Sequence, residues 1–146
     1  MVKRLLIVLA LSTAGLWAQN LSLTIGPPIA AEIKLKTKFF AMFAVRVNGC
    51  ADLSKAQLNA VGHTSDATEP KVVNSTPQPT NVPGVYLVGR AWLPNQKWVV
   101  AVNATCGNET AGAIVPVTDN GFIRERTQLL SRAPTQAEID AALKAQ

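Results

Sequence analysis

The chain has 146 residues, 48% of them hydrophobic and 16% charged, which is enough apolar material for one core and too little for two comfortable domains. A charged fraction below the ~25% usual for globular domains argues against intrinsic disorder and against a polyampholyte coat. The net charge of +5 falls to +3 once Lys3 and Arg4 are set aside with the leader described next, an ordinary excess that gives no reason to expect a nucleic-acid partner.

Met1 to Arg4 is a short cationic start, Leu5 to Leu11 is purely apolar, and Ser12 to Trp17 is mixed and small before Ala18-Gln19. This n, h and c layout predicts a secretory signal over residues 1–18, and the elements taken in order below divide the remainder into a domain over 19–131, expected from its strands to be a β-sandwich, and a C-terminal helix over 132–146. A membrane-spanning helix needs ~20 apolar residues, whereas this run tails off after Leu11 and no second one follows, so no transmembrane segment is expected after cleavage. The expected location is the periplasm or the extracellular side of a bacterial envelope. Export makes Cys50 and Cys106, the only cysteines, a predicted disulfide, with two buried thiols as the competing reading. A C-x-x-C motif is missing, so a redox role is not expected.

In chain order, Leu21, Leu23 and Ile25 alternate with Ser22 and Thr24 as a first strand, stopped by Gly26-Pro27-Pro28. Ile33, Leu35, Thr37, Phe39, Ala41, Phe43, Val45 and Val47 then share one face against Glu32, Lys34, Lys36, Lys38 and Arg46. So long a run predicts a bend, bulge or break near Lys38 to Ala41. Ala56 to His63 reads as a strand, although Asp52 to Leu58 suits a short helical turn equally. Gly62 to Gly84, rich in Pro, Ser, Thr and Asn, reads as the longest flexible connection, with one strand at Lys71-Val72-Val73. Val85 to Leu93 and Lys97 to Cys106 read as a hairpin around Pro94-Asn95-Gln96, with Cys106 on the core side, and Ala113 to Val117 adds another strand. Phe122 to Leu130 suits strand and helix alike. Thr135 to Lys144 suits only a helix, with Thr135 and Glu138 as a capping box and a narrow apolar face of Ile139 and Leu143. That face suggests a surface appendage or a docking element.

The stretches Pro83-Gly84-Val85-Tyr86, Trp92-Leu93-Pro94 and Lys97-Trp98-Val99-Val100 resemble the YtkA-like and FixH-like group of small exported immunoglobulin-like sandwiches. The resemblance covers about twenty residues; it implies that Tyr86 and Trp98 support the core, and it implies no catalytic residue. The antibody pattern itself is not met, since Ala104, two before the second cysteine, is not Tyr. The fold class expected is mainly β: an antiparallel immunoglobulin-like β-sandwich with a short C-terminal α-helix.

His63, the only histidine, stands among Thr64, Ser65, Asp66, Thr68 and Glu69, an inventory that a hydrolase would need, but without a G-x-S-x-G elbow it reads as a solvated loop residue. One histidine and two bridged cysteines make a poor ligand set, so neither metal nor cofactor is expected. Lys34, Lys36 and Lys38 form a positive row, read either as a solvated strand face that resists edge pairing or as a surface for an anionic partner. Asn20, Asn74, Asn103 and Asn108 open N-x-S/T sequons, read as incidental in a bacterial export route. Trp92, beside Arg90, reads as packing rather than as a sugar platform. The function expected is a non-catalytic accessory or protein-interaction module of the cell envelope, with an envelope protein as partner. The alternative is a protein that binds a small anion or glycan with the 62–84 loop and the basic strand, its surface drawn from Lys34, Lys36, Lys38, His63 and Arg90.

Overall fold

Strict alternation in Phe43, Val45 and Val47 puts three large apolar side chains on one face of a strand, and all three are buried. The computed structural model describes residues 20–28, 40–65 and 71–146; the leader, the row Lys34, Lys36 and Lys38, and residues 66–70 lie outside the described residues. The strands described are β1 (Ser22–Gly26), β2 (Ala41–Asn48), β3 (Gln57–His63), β4 (Val72–Ser75), β5 (Gln78–Pro79), β6 (Val85–Gly89), β7 (Trp98–Cys106), β8 (Glu109–Val117) and β9 (Gln128–Leu130), followed by the helix α1 (Gln136–Lys144). They form two antiparallel sheets, ordered β1-β2-β6-β5 and β4-β3-β7-β8-β9. The first is the A-B-E-D order of an immunoglobulin sandwich; β4-β3-β7-β8 is the C′-C-F-G order, with β9 added at its edge.

The main core fills the space between the sheets. Register pairs Ala60 with Val102 and Val102 with Ala113, and these inward residues meet Leu23, Phe43, Val45 and Val88 from the other sheet. A register shift between Ala41 and Phe43 lets Met42 be buried too, so the expected irregularity falls at the start of β2. Cys50, just past β2, is bonded to Cys106 at the end of β7, with Cα atoms 5.9 Å apart, and so ties one sheet to the other.

The outward face of the five-stranded sheet is also covered. Val99 and Ile114 are fully buried there beneath Ile139, Ala142 and Leu143 of α1, which makes a third layer. β7 and β8 therefore read as apolar on both faces because both faces are packed. The narrow stripe on α1 suffices because Ala101 and Leu130 complete the contact. Thr135 Oγ1 accepts from Glu138 N at 3.3 Å while the Glu138 carboxylate accepts from Thr135 N at 2.9 Å, the expected capping box. The Arg132 guanidinium donates to the same carboxylate, and together these hold Glu138 down to about 2.

The segment before α1 crosses β8 at Gly112, where a Cβ would collide with the Arg132 carbonyl oxygen and stand 2.7 Å from Pro134 Cδ. Gly112→Ala is expected to lift this strap and loosen α1, costing about 1–3 kcal/mol in denaturant melts. A variant as stable as the parent would show that the helix is not held this way.

Two sequence expectations change. β6 and β7 are not a hairpin: they belong to different sheets, and the connection between them crosses the end of the sandwich, with Trp92 dropped into the core. Residues 62–84 are not one flexible connection, since β4 pairs along β3 and β5 along β6. Both ambiguous segments resolve into two states. Leu53–Lys55 is a single 3-10 turn before β3, and Arg124–Arg126 is another before β9.

Candidate functional site

The two ends of the sandwich differ in kind. At the disulfide end, β7 and β8 are joined by Gly107-Asn108 alone, and the β2–β3 connection is pinned by the cystine and by Asp52, whose carboxylate accepts from Ser54 N at 3.1 Å. Asp52, Lys55 and Glu109 line a shallow depression of about 590 Å³ beside the cystine. At the opposite end lie the longer connections β3–β4, β6–β7 and β8–β9 and the last turn of α1.

The described parts of those connections are anchored from below. Trp92 is buried beside Trp98, their ring centroids 6.4 Å apart, and both indoles lie against Gly62, where a Cβ would come within 3.3 Å of Trp92 and 3.4 Å of Trp98. Thr64 N donates to the Lys71 carbonyl at 3.0 Å, and Thr64 Oγ1 donates to the Lys97 carbonyl at 2.7 Å, so residues 64, 71 and 97 lie side by side. Asn95, in left-handed backbone at φ 62°, donates its N–H to Asp119 at 3.0 Å. Lys97 Nζ donates to the Gln146 carbonyl at 2.7 Å, and Gln146 Nε2 donates to the Trp98 carbonyl at 3.0 Å, which fastens the end of α1 to the start of β7. Arg124 lies over the Phe122 ring at 5.9 Å.

Charge follows the same division. Among the described residues, Lys71, Arg90, Lys97, Arg124, Arg126 and Lys144 gather at this end against Asp119, Glu125 and Asp140, whereas toward the disulfide end Asp52 and Glu109 stand against Arg46 and Lys55, and Arg132 pairs with Glu138. Within the basic end, Lys97, Arg126 and Lys144 share with Ser65, Thr118 and Asp119 a cleft of about 750 Å³ between α1 and the ends of β7 and β8.

The residues singled out from sequence are distributed unevenly over this frame. Cys50 and Cys106 are joined. Arg90 is exposed directly after β6, within the basic end. His63 is not a solvated loop residue: it closes β3, opposite Val99 and Val72, half-buried on the sheet face that α1 covers. The structure therefore does not bring His63 into one patch with Arg90, and Lys34, Lys36 and Lys38 lie outside the described residues. Of the polar residues near His63 in sequence, Thr64 uses its hydroxyl on Lys97, and Asp66, Thr68 and Glu69 lie outside the described residues. No group of three or more His, Cys, Asp or Glu that could hold a metal occurs among the described residues, and no described helix is long and apolar enough to cross a membrane.

Burial pushes the His63 imidazole below its ordinary 6.5, an effect that Asp140 on α1 partly offsets. The unfolded chain then takes up the proton more readily than the folded one, so this group's contribution to stability falls as pH drops below about 6.5 and through the lower folded value. NMR titration is expected to give a His63 midpoint below 6.5, moved lower still by Asp140→Asn; a midpoint at or above 6.5 would contradict the packing of α1 over β3.

Nothing in the sequence joins Lys71, Lys97, Arg126 and Lys144 into one site, because they stand far apart in it; only the strand order gathers them. Compared with protein-family models, curated proteins and solved structures, the chain matches none, and its place among immunoglobulin-like sandwiches rests on its own strand order.

Proposed function

We propose that this chain is an exported, non-catalytic immunoglobulin-like module of the cell envelope that binds its partner through the basic end of the sandwich. The observation that carries the reading is the concentration of cations at this end of the sandwich, where Trp92 and Asp119 anchor the β6–β7 connection and Thr64 joins Lys71 to Lys97, so that these positions have little order to gain on binding. The inter-sheet disulfide suits an oxidising compartment. The YtkA-like and FixH-like resemblance supports the reading in fold class alone. A second reading, a small anion held between Lys97, Arg126 and Lys144, is favoured by the cleft that those side chains line.

The test is retention of envelope components on the immobilised protein, with Lys71→Glu/Arg90→Glu as its control. The reading predicts a component released by salt and not retained by the control. Equal retention by both proteins would overturn it.

A further inference from the structure

The apolar side chains left exposed are not scattered. Among the described residues the exposed large hydrophobics are Phe40, Val72, Leu93 and Leu129, and the first three lie at the basic end. Phe40 is 64% exposed and precedes Ala41, whose register partner Gly89 precedes Arg90, so Phe40 and Arg90 leave the β2–β6 pair side by side. Leu93 is 47% exposed one residue after buried Trp92, so the connection that holds it in solvent is fixed from beneath. Val72 follows exposed Lys71 on the edge strand β4.

We propose that this end of the sandwich docks on an anionic lipid surface, with Phe40 and Leu93 entering the headgroup layer and Lys71, Arg90 and their basic neighbours meeting lipid phosphates. The proposal rests on the reading that the basic end is the recognition end. Interfacial binding needs both elements found here, apolar groups able to enter a few ångströms and cations that add to one another along a negative plane. The spread of charge distinguishes a surface from a small anion. A small anion would use the cleft of Lys97, Arg126 and Lys144, of whose lining Lys71, Arg90, Phe40 and Leu93 form no part. A plane can be met by all of them together.

Co-sedimentation of the exported chain with vesicles rich in phosphatidylglycerol, beside vesicles of phosphatidylcholine alone, tests this. Binding is expected to the first and not to the second, weakening as salt rises. Each basic residue near such a surface contributes about fivefold in partition, so Lys71→Glu/Arg90→Glu is expected to lower it at least about 25-fold. Phe40→Ser/Leu93→Ser is expected to lower it while leaving the salt dependence in place. All four side chains are exposed, and thermal melts of both variants matching the parent verify that they fold. Lack of binding to phosphatidylglycerol vesicles would overturn the proposal, as would unchanged binding by the charge-reversed variant. Competition by free glycerophosphate at matched ionic strength would also overturn it, in favour of the cleft. If vesicles are not bound while envelope components are still retained in a charge-dependent way, the lipid surface falls and the recognition end stands. If both are lost, both fall.

Discussion

Replacing Cys50 and Cys106 together by alanine is expected to lower the stability of the folded chain by roughly 4 kcal/mol, the loop-closure entropy that a cross-link over a separation of 56 residues removes from the unfolded state. For a domain of this size that corresponds to a fall of about 15 °C in Tm. The bond joins Cys50, two residues past β2, to Cys106 at the end of β7, so it links the two sheets at one end of the main core, against which the half-buried cystine packs. Reduction of the parent protein is expected to reproduce the same shift. The basic end, at the far side of the sandwich, should keep its fold in molecules that remain native. A Tm unmoved by reduction and by the double substitution would mean that the bridge only decorates a sandwich that is stable without it.

Trp98→Ala is expected to cost about 3–5 kcal/mol. Trp98 is 1% exposed at the start of β7 and supports Trp92, which in turn holds down the connection that carries Arg90, Leu93 and Lys97. Its loss opens a cavity beneath the basic end, so the proposed binding is expected to weaken along with stability. Trp98→Phe is expected to cost well under half as much, because a ring is retained and the indole N–H, which has no hydrogen-bond partner among the described residues, is removed from the interior. Denaturant unfolding at unchanged m separates the two variants. An alanine variant within about 1 kcal/mol of the parent would contradict the packing described here, since that lies far below the usual range for a buried tryptophan.

Much of the fold is written locally. Phe43, Val45 and Val47 announce the inner face of β2 by alternation alone, and Thr135 with Glu138 marks the start of α1 through chemistry confined to one helical turn. That β6 and β7 join different sheets is not legible, because alternation says which side chains face inward and not which sheet receives the strand. Pro94-Asn95 makes a turn in either case, and only the burial of Trp92 distinguishes a crossing between sheets from a hairpin. Val99 and Ile114 lie on the strand face opposite the main core, where α1 buries them. Their apolar character on a second face, together with the stripe of Ile139 and Leu143, was the signal that strand and helix were made for each other.

The candidate site was less legible, for a similar reason. The lysine row at Lys34, Lys36 and Lys38 is conspicuous because its members are neighbours in sequence, whereas Lys71, Arg90, Lys97, Arg126 and Lys144 become neighbours only through the return of strands to one end. Arg90 alone among these was visible beforehand. The strand that ends at His63 is legible in the alternation of Ala56 to His63, but the polar run after it makes the imidazole read as solvated; it is instead half-buried, and α1 reaches over its face.

A photo-cross-linking amino acid placed in turn at Leu93 and at Asn108, in the protein expressed in its own cells, tests the recognition end most directly. Both positions are exposed, and they stand at opposite ends of the sandwich. Adducts from Leu93, to lipid or protein, with none from Asn108 are the predicted result. Adducts from Asn108 with none from Leu93 would place recognition at the disulfide end and contradict the assignment.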